Sequence, residues 1–375
     1  MIPPGSSIGL LGGGQLGRMF TLRARAMGYE VIVLEPDPLS PAGAVATRHI
    51  QAKYDDPDAL EQLAGACAVV TTEFENVPAA ALDWLAGHIE CRPSPAIVAI
   101  CQDRIREKNF LRSHGLATAD FAVIEQRDQI EDAWESLGTP ALLKTSRLGY
   151  DGKGQALADS LEDVELAFDR FGAVPCILER RLELECEVSV VLARGADGAV
   201  ATFPVGENVH HRGILHTTMV PASVPKAVAE LATETATRVA EVLEYVGVLG
   251  VEMFVAEGGR IFVNELAPRP HNSGHYTQDA CATDQFEQQV RAVAGLPLGA
   301  TKLLSPVCMI NLLGDLWLDG TPRWERALAM PCVKLHLYGK KEPRLGRKMG
   351  HLNCLEKTGK KALALAERAY ASLLP

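Results

Sequence analysis

Along the first hundred residues, short apolar runs alternate with stretches of helical period. Ser7 to Leu11 reads as a buried strand, Gly12-Gly13-Gly14 as a tight turn, Gln15 to Met27 as a helix and Glu30 to Glu35 as a second strand. Together these predict a βαβ unit with a parallel sheet. Val69 to Glu73 is a further strand, and its acidic end, Glu73-Phe74-Glu75-Asn76, falls where open α/β sheets bind ligands. Arg92-Pro93-Ser94-Pro95 marks a boundary and opens one helix, with Ser94 as N-cap, Pro95 at the first helical position and Gly115 at the stop. Strands at Phe121 to Ile124, Ala141 to Lys144 and Cys176 to Glu179, with a helix around Ile130 to Leu137, predict a small α+β unit. A larger α+β unit runs from about Arg181.

In that last unit, the β-branched run Val248 to Phe254, the turn Glu257-Gly258-Gly259-Arg260 and the run Ile261 to Leu266 predict a β-hairpin. Centring the turn on Gly258-Gly259 pairs Ala256 with Ile261, Phe254 with Val263, and Glu252 with Glu265. Directly opposed carboxylates, about 5 Å apart at an effective dielectric of about 20, repel by roughly 3 kcal/mol. Either both lie on a solvated face near arginines, or a hard cation bridges them. Mg²⁺ is typically held by one or two carboxylates plus substrate phosphates, so this pair directs attention to phosphate-binding features elsewhere. Alternation points Asn264 to the opposite face from Glu265, so the strand must bend there if both are to reach one ligand.

Composition narrows the classes. At 375 residues and 47% hydrophobic, the chain is globular and long enough for two or three domains. The net charge, 37 − 47 = −10, argues against a nucleic-acid or anionic-membrane partner for the whole molecule. The segment from Lys334 to Lys361 departs from this with nine Lys or Arg against two Glu, 9 − 2 = +7, which suits an anion site or a solvated basic face. Nine cysteines without a Cys-x-x-Cys pair suggest neither zinc nor disulfides, and so a reducing cytoplasm. No export signal or apolar run of membrane length is evident, so a soluble, unexported protein is expected.

Two glycine-rich turns invite phosphate. The first, Gly12-x-Gly14-x-x-Gly17 with Glu35 downstream, matches the dinucleotide fingerprint in outline, or else serves close helix–strand packing. The second, Gly149-Tyr150-Asp151-Gly152-Lys153-Gly154-Gln155, follows Lys144 at a strand end. Several amides and two lysines there suit phosphate oxygens, although the loop is not a Walker A sequence. It precedes Glu179-Arg180-Arg181-Leu182, then Glu187, then the paired glutamates.

That order is similar to the ATP-grasp enzymes. With Gly12 to Met19, Asn264 to His275, and Gly346-Arg347-Lys348-Met349-Gly350-His351-Leu352-Asn353, it resembles the N5-carboxyaminoimidazole ribonucleotide synthetases over nearly the whole chain. The resemblance implies a three-domain ATP-grasp fold of α/β and α+β class: a Rossmann-like domain at 1–95, linking helices and a small lid at 96–180, and a large domain with metal site and basic segment at 181–375. It implies a carbon–nitrogen ligase of purine biosynthesis that joins bicarbonate to aminoimidazole ribonucleotide at the expense of ATP. Mg²⁺ would serve, with Mn²⁺ able to replace it. A homodimer, and transient contact with the mutase that takes the product, are also implied.

By the same resemblance, Arg104, Lys144, Gly149, Tyr150, Asp151, Gly152, Lys153, Gly154, Gln155, Glu179, Arg180, Arg181, Leu182, Glu187, His210, Asn264 and Glu265 would contact ATP. Glu252 and Glu265 would hold the metal. Arg269 and His271 would form the bicarbonate and carboxyphosphate pocket, with Lys153 and Asp151 also catalytic. Tyr150, Asp151, Lys340, Arg347 and Lys348, with Glu73 or Glu75 and Gln15, would form the ribonucleotide site. Either Asp151 or His271 would take a proton from the substrate amine. Leu148 stands where some relatives have glycine, and Lys340 is preferred over Lys341 as the substrate lysine. Competing readings are a formate-using phosphoribosylglycinamide formyltransferase, whose metal strand ends in a similar Arg-Pro-His, a dinucleotide-dependent oxidoreductase, and a nucleotide sensor without turnover.

Overall fold

Strands β1 (Ser7–Leu11), β2 (Glu30–Leu34), β3 (Arg48–Ile50) and β4 (Val69–Thr72) form a parallel sheet in the order β3-β2-β1-β4. The structure, a computed structural model, describes residues 1–149 and 153–374. Apolar residues point to both faces of this sheet because helices cover both. On one side Leu10, Leu16 and Phe20 pack with Phe286 and Val290 of the distant helix Gln285–Ala294, which ties this sheet to the last third of the chain. On the other, Leu11 and Ile32 pack with Leu63, Leu82 and Leu85. The predicted single helix after Ser94 is two, Pro95–Cys101 and Arg104–Ser113. Asp103 breaks it: its backbone is extended and its side chain accepts from the amides of Ile105 and Arg106, which starts a new helix. Ser94 occupies the N-cap position without a side-chain cap bond.

The small unit is an antiparallel sheet of β5 (Phe121–Ile124), β6 (Ala141–Thr145), β7 (Gln155–Ala158) and β8 (Cys176–Arg180), ordered β5-β8-β6-β7. Helices Ile130–Leu137 and Leu161–Arg170 bury Ile130, Leu137, Val164 and Phe168 against it. The second glycine loop joins β6 to β7. Its residues Tyr150, Asp151 and Gly152 lie outside the described residues.

The remaining strands build one nine-stranded sheet: β9 (Leu184–Arg194), β10 (Val200–Thr202), β11 (Gly206–His211), β12 (Ile214–Val220), β13 (Gly247–Ala256), β14 (Arg260–Ala267), β15 (Val307–Leu313), β16 (Val333–Leu337) and β17 (Lys348–Leu355). The order is β14-β13-β9-β11-β12-β15-β17-β16, with β10 on β9. Helix Lys226–Val242 covers Val190, Leu192, Val251 and Val263, and helix Gly359–Leu373 covers Ile310 and Leu352. One sheet therefore carries both the acidic hairpin and the basic C-terminal segment.

The hairpin β13–β14 pairs Glu252 with Glu265, but by a different route from the predicted one. The turn takes Glu257–Gly259, with Gly258 and Gly259 at φ of 76° and 73°, so Ala256 faces Arg260 and Phe254 faces Phe262, one residue off the expected register. A bulge between Glu252 and Met253 on one strand, with Asn264 extra on the other, restores the expected pair. Bulges re-aim side chains, and this one supplies the bend that Asn264 required. Among the described residues no helix is long and apolar enough to cross a membrane, and the nine cysteines are free thiols.

Candidate active site

A cleft of about 970 Å³ lies where the three sheets meet. The N-terminal sheet contributes Gln15, Glu73 and Glu75. The small sheet gives Lys144, Gly149, Lys153 and Gln155. The large sheet gives Glu187, His210, Glu252, Asn264, Glu265, Arg269, His271, Lys340, Arg347 and Lys348, and Arg104 enters from its helix.

Its acidic centre is electrostatically loaded. Burial, and then the neighbouring Glu265, push the Glu252 carboxyl up to about 7. Burial also raises Glu265, but Arg104 and Lys144 outweigh it and hold that carboxyl below its usual value, with Arg104 Nη2 at 3.2 Å. One partner of the pair thus stays ionised while the other leans toward its proton, as two facing carboxyls must without a cation. The donor set fits a hard divalent ion: two carboxylates meet at an open cleft. Among the described residues no cluster of three His, Cys, Asp or Glu is placed to hold a metal ion by itself.

Several basic side chains around the pair have carboxylate partners. Lys144 Nζ lies 2.6 Å from Glu179, and Lys108 3.5 Å from the same side chain. Burial raises Glu179, yet Lys144 and Lys108 bring it down to about 2. Arg269 Nε donates to Glu75 at 2.7 Å, and its charge outweighs burial to keep Glu75 low. His210 Nδ1 sits 3.0 Å from Glu187.

His271 is fixed in one tautomer. Its Nδ1 accepts from the Ser273 amide (3.3 Å) and contacts the Ser273 hydroxyl (2.8 Å), which leaves the ring proton on Nε2, 3.3 Å from Glu252 Oε1. Burial first, then Arg269 and Lys348, push its pKa well below the usual value. This imidazole is neutral and presents a donor. Gly250 makes room for it, since a Cβ there would meet His271 Cβ at 2.7 Å.

The first glycine turn is not a phosphate cradle. Gly13 donates to Glu35 (2.8 Å), while Gly14 and Gly17 donate to the two oxygens of Glu73 (2.7 and 2.9 Å). A Cβ on Gly12, Gly13 or Gly14 would lie 2.4–2.5 Å from these glutamates. The glycines admit the protein's own carboxylates, so the amides a dinucleotide pyrophosphate would need are taken, which corrects the dinucleotide alternative.

Among the described residues, five of the expected nucleotide contacts do not line the cleft. Arg180 is exposed and paired with Asp120 at 3.3 Å, and Arg181 and Leu182 follow it off the wall. The strand has ended there, and Leu184 takes the wall position instead. Glu179 acts from behind, by holding Lys144. Gly154 packs on Thr145 at the loop base. Lys340 lines the cleft with its Nζ on Lys348 O (2.8 Å), whereas the exposed Lys341 does not. Leu148 adopts φ 62°, the left-handed region that favours glycine.

Sequence reasoning missed Gln102, Glu107, Phe254 and Asn272, all on the wall. Phe254 was readable as the same-face neighbour of Glu252, and Glu107 as the next helical turn after Arg104. Glu107 accepts from the Leu266 amide at 3.1 Å, which fixes the strand beside Glu265, and its pKa rises to about 8 through burial.

Comparison with known proteins agrees with this architecture. A ribonucleotide synthetase preATP-grasp domain model matches residues 6–102, an ATP-grasp domain model 109–286, and a phosphoribosylaminoimidazole carboxylase C-terminal domain model 307–365. The N5-carboxyaminoimidazole ribonucleotide synthase of Brucella melitensis is 49% identical over 94% of this chain and 96% of its own length. A crystal structure of an N5-carboxyaminoimidazole ribonucleotide synthetase in complex with ADP superposes with a TM-score of 0.93, at 44% identity over 99% of this chain and 97% of that one. The Aspergillus clavatus N5-carboxyaminoimidazole synthase, complexed with ADP and 5-aminoimidazole ribonucleotide, superposes at 0.90, with 31% identity over 98% of both chains. By identity over nearly its full length, by fold and by site, this chain belongs to the N5-carboxyaminoimidazole ribonucleotide synthase family of ATP-grasp ligases.

Proposed function

We propose that the cleft joins bicarbonate to the exocyclic amine of 5-aminoimidazole ribonucleotide, with ATP converted to ADP and phosphate, in purine biosynthesis. The observation that carries this reading is the facing Glu252–Glu265 pair, half-buried beside Arg269 and His271 in a cleft whose far side bears Lys340, Arg347 and Lys348. Mg²⁺, or Mn²⁺ in its place, would be held by Glu252 and Glu265 and would supply charge neutralisation on the polyphosphate.

A bicarbonate oxygen attacks the γ-phosphorus, the bond to the β-bridging oxygen breaks, and ADP leaves carboxyphosphate behind. The amine nitrogen then bonds to the carboxyl carbon as the C–O bond to phosphate breaks, and the amine loses a proton. Phosphoryl transfer asks mainly for positioning and charge neutralisation. Lys144, Lys153 and Arg104 supply these on the nucleotide side, and Arg269 on bicarbonate. Neutral His271 donates from Nε2 toward the carboxyl oxygens, so it holds the carboxyl donor rather than taking the amine proton, which favours Asp151 as the base. Glu73 and Glu75 flank the ribonucleotide, with Gln15 beside them.

The continuous sheet from Leu184 to Leu355 supports treating 181–375 as one unit, beside 1–95 and 96–180. A homodimer working in the cytoplasm, with hand-over of the labile carbamate to a mutase, completes the proposal; sedimentation tests the dimer. The activity test is ADP release with bicarbonate plus aminoimidazole ribonucleotide, against formate plus glycinamide ribonucleotide, with NADH binding as control. Turnover only with the first pair is expected; turnover only with the second overturns the proposal.

A further inference from the structure

Behind the cleft lies a polar band that no step above uses. His275 and His351 are fully buried, and His336 pairs with His351 across β16 and β17. The three imidazoles form a column, His336 on His351 at 4.5 Å between ring centroids and His351 on His275 at 4.8 Å. His336 Nε2 lies 2.7 Å from Asp279 Oδ2, and the Tyr338 hydroxyl bonds His351 Nδ1 at 2.9 Å. Asn353 Nδ2 donates both to Asp279 (2.8 Å) and to the His275 carbonyl (3.1 Å). Buried polar groups of this kind are costly beside an apolar core of the same volume, so a role beyond packing is indicated.

The ends of the band give that role. At one end Gln285 accepts from the His271 amide (2.9 Å), donates to the His271 carbonyl (2.9 Å) and reaches His275 Nδ1 (3.0 Å). The backbone of the residue that faces Glu252 is thus clamped by the side chain that touches the column. At the other end Tyr338 opens the basic loop: its amide donates to Met349 O (2.9 Å), and Lys340 Nζ sits 5.8 Å above its ring. The loop's far side is anchored as well, by Gly346 N to Asp315 (2.8 Å) and Gly314 N to Arg347 O (2.9 Å). A displacement of Lys340 on ribonucleotide binding has a packed path inward, through Tyr338, His351, His275 and Gln285 to His271.

We propose that this buried network couples the two substrate subsites, so that ribonucleotide held by the basic loop sets His271 for the carboxyl donor, with Tyr338 and His351 as positioning residues. The inference rests on the proposed function above. Its test compares the wild type with Tyr338→Phe, which removes one hydroxyl and keeps the ring, in two readouts. These are the dependence of the bicarbonate KM on ribonucleotide concentration, and the ratio of ADP released to carboxylated product.

In the wild type, saturating ribonucleotide lowers the bicarbonate KM by about fivefold or more, the usual scale of site-to-site coupling. In Tyr338→Phe that dependence shrinks toward one and ADP release outruns product. A variant with a lower melting temperature but wild-type coupling and ratio reduces the network to packing and overturns the proposal, as does a wild type whose bicarbonate KM ignores the ribonucleotide. If Tyr338→Phe does not fold, His336→Gln at the half-exposed rim is read in the same two ways. A wild type that makes no carboxylated product defeats the functional reading itself, a distinct result from product formed without coupling.

Discussion

Two pairs of glutamates, one just after strands of the N-terminal sheet and one within the hairpin β13–β14, are satisfied in opposite ways. Glu35 and Glu73, after β2 and β4, are filled by backbone amides of Gly13, Gly14 and Gly17. Glu252 and Glu265, on β13 and β14, face each other, and the side chains of Arg104 and His271 meet them. Amides are fixed dipoles that cannot leave, so the oxygens of the first pair are not open to a metal. Side chains, here one cation and one neutral imidazole donor, can move aside for a metal and its phosphates, so the second pair remains available for chemistry.

The largest expected effect breaks the second pair. Glu265→Ala should cut ATP turnover by about 10³-fold, since a metal contributes several kcal/mol and each decade is about 1.4 kcal/mol. The fold should survive, as judged by circular dichroism, and retained turnover at saturating Mg²⁺ would remove the metal role. Next comes the cationic support. Glu179→Gln leaves Lys144 and Lys108 buried without a counter-charge and should cost about 3–5 kcal/mol in urea unfolding at neutral pH. Because Glu179 titrates at about 2 in the folded state against an ordinary 4.5, its stabilisation is present above pH 4.5 and is lost as pH falls toward 2. The variant should lack that acid-sensitive component, and an unchanged acid profile would contradict the assignment.

The amide-filled pair should respond differently. Glu73→Gln weakens the hold on two amides and should cost about 1–3 kcal/mol of stability without altering the Mg²⁺ concentration dependence of turnover. A shifted Mg²⁺ dependence would erase the contrast between the pairs. The smallest effect concerns the second glycine loop: Leu148→Gly relieves a left-handed backbone and should raise stability by about 1 kcal/mol, read as a small increase in melting temperature.

Much of this was legible without coordinates. Ser7–Leu11, Phe121–Ile124 and the Glu252–Glu265 opposition follow from alternation and turn glycines. The last survived because a longer turn and the Asn264 bulge offset each other. The break at Asp103 went unread because a good N-cap in mid-helix looks like an ordinary polar residue until its amides are seen. The dinucleotide alternative failed for a related reason: glycines that admit a phosphate and glycines that admit a glutamate from 59 residues away look the same in sequence. Arg180 and Arg181 do not line the cleft, since β8 ends at Arg180 and a strand's last residue cannot be read to within one or two positions.

Local pattern by itself determined the strands, the helices, the facing acids and, through resemblance, the family, since each depends on neighbours within one element or hairpin. Tertiary structure decided which groups neutralise which: Glu73 in the glycine turn, Glu75 on Arg269, Glu179 on Lys144, and the His271 proton on Nε2. Most of these pairings span tens to hundreds of residues, and electrostatic energy depends on distance and burial in space, which a one-dimensional pattern does not carry.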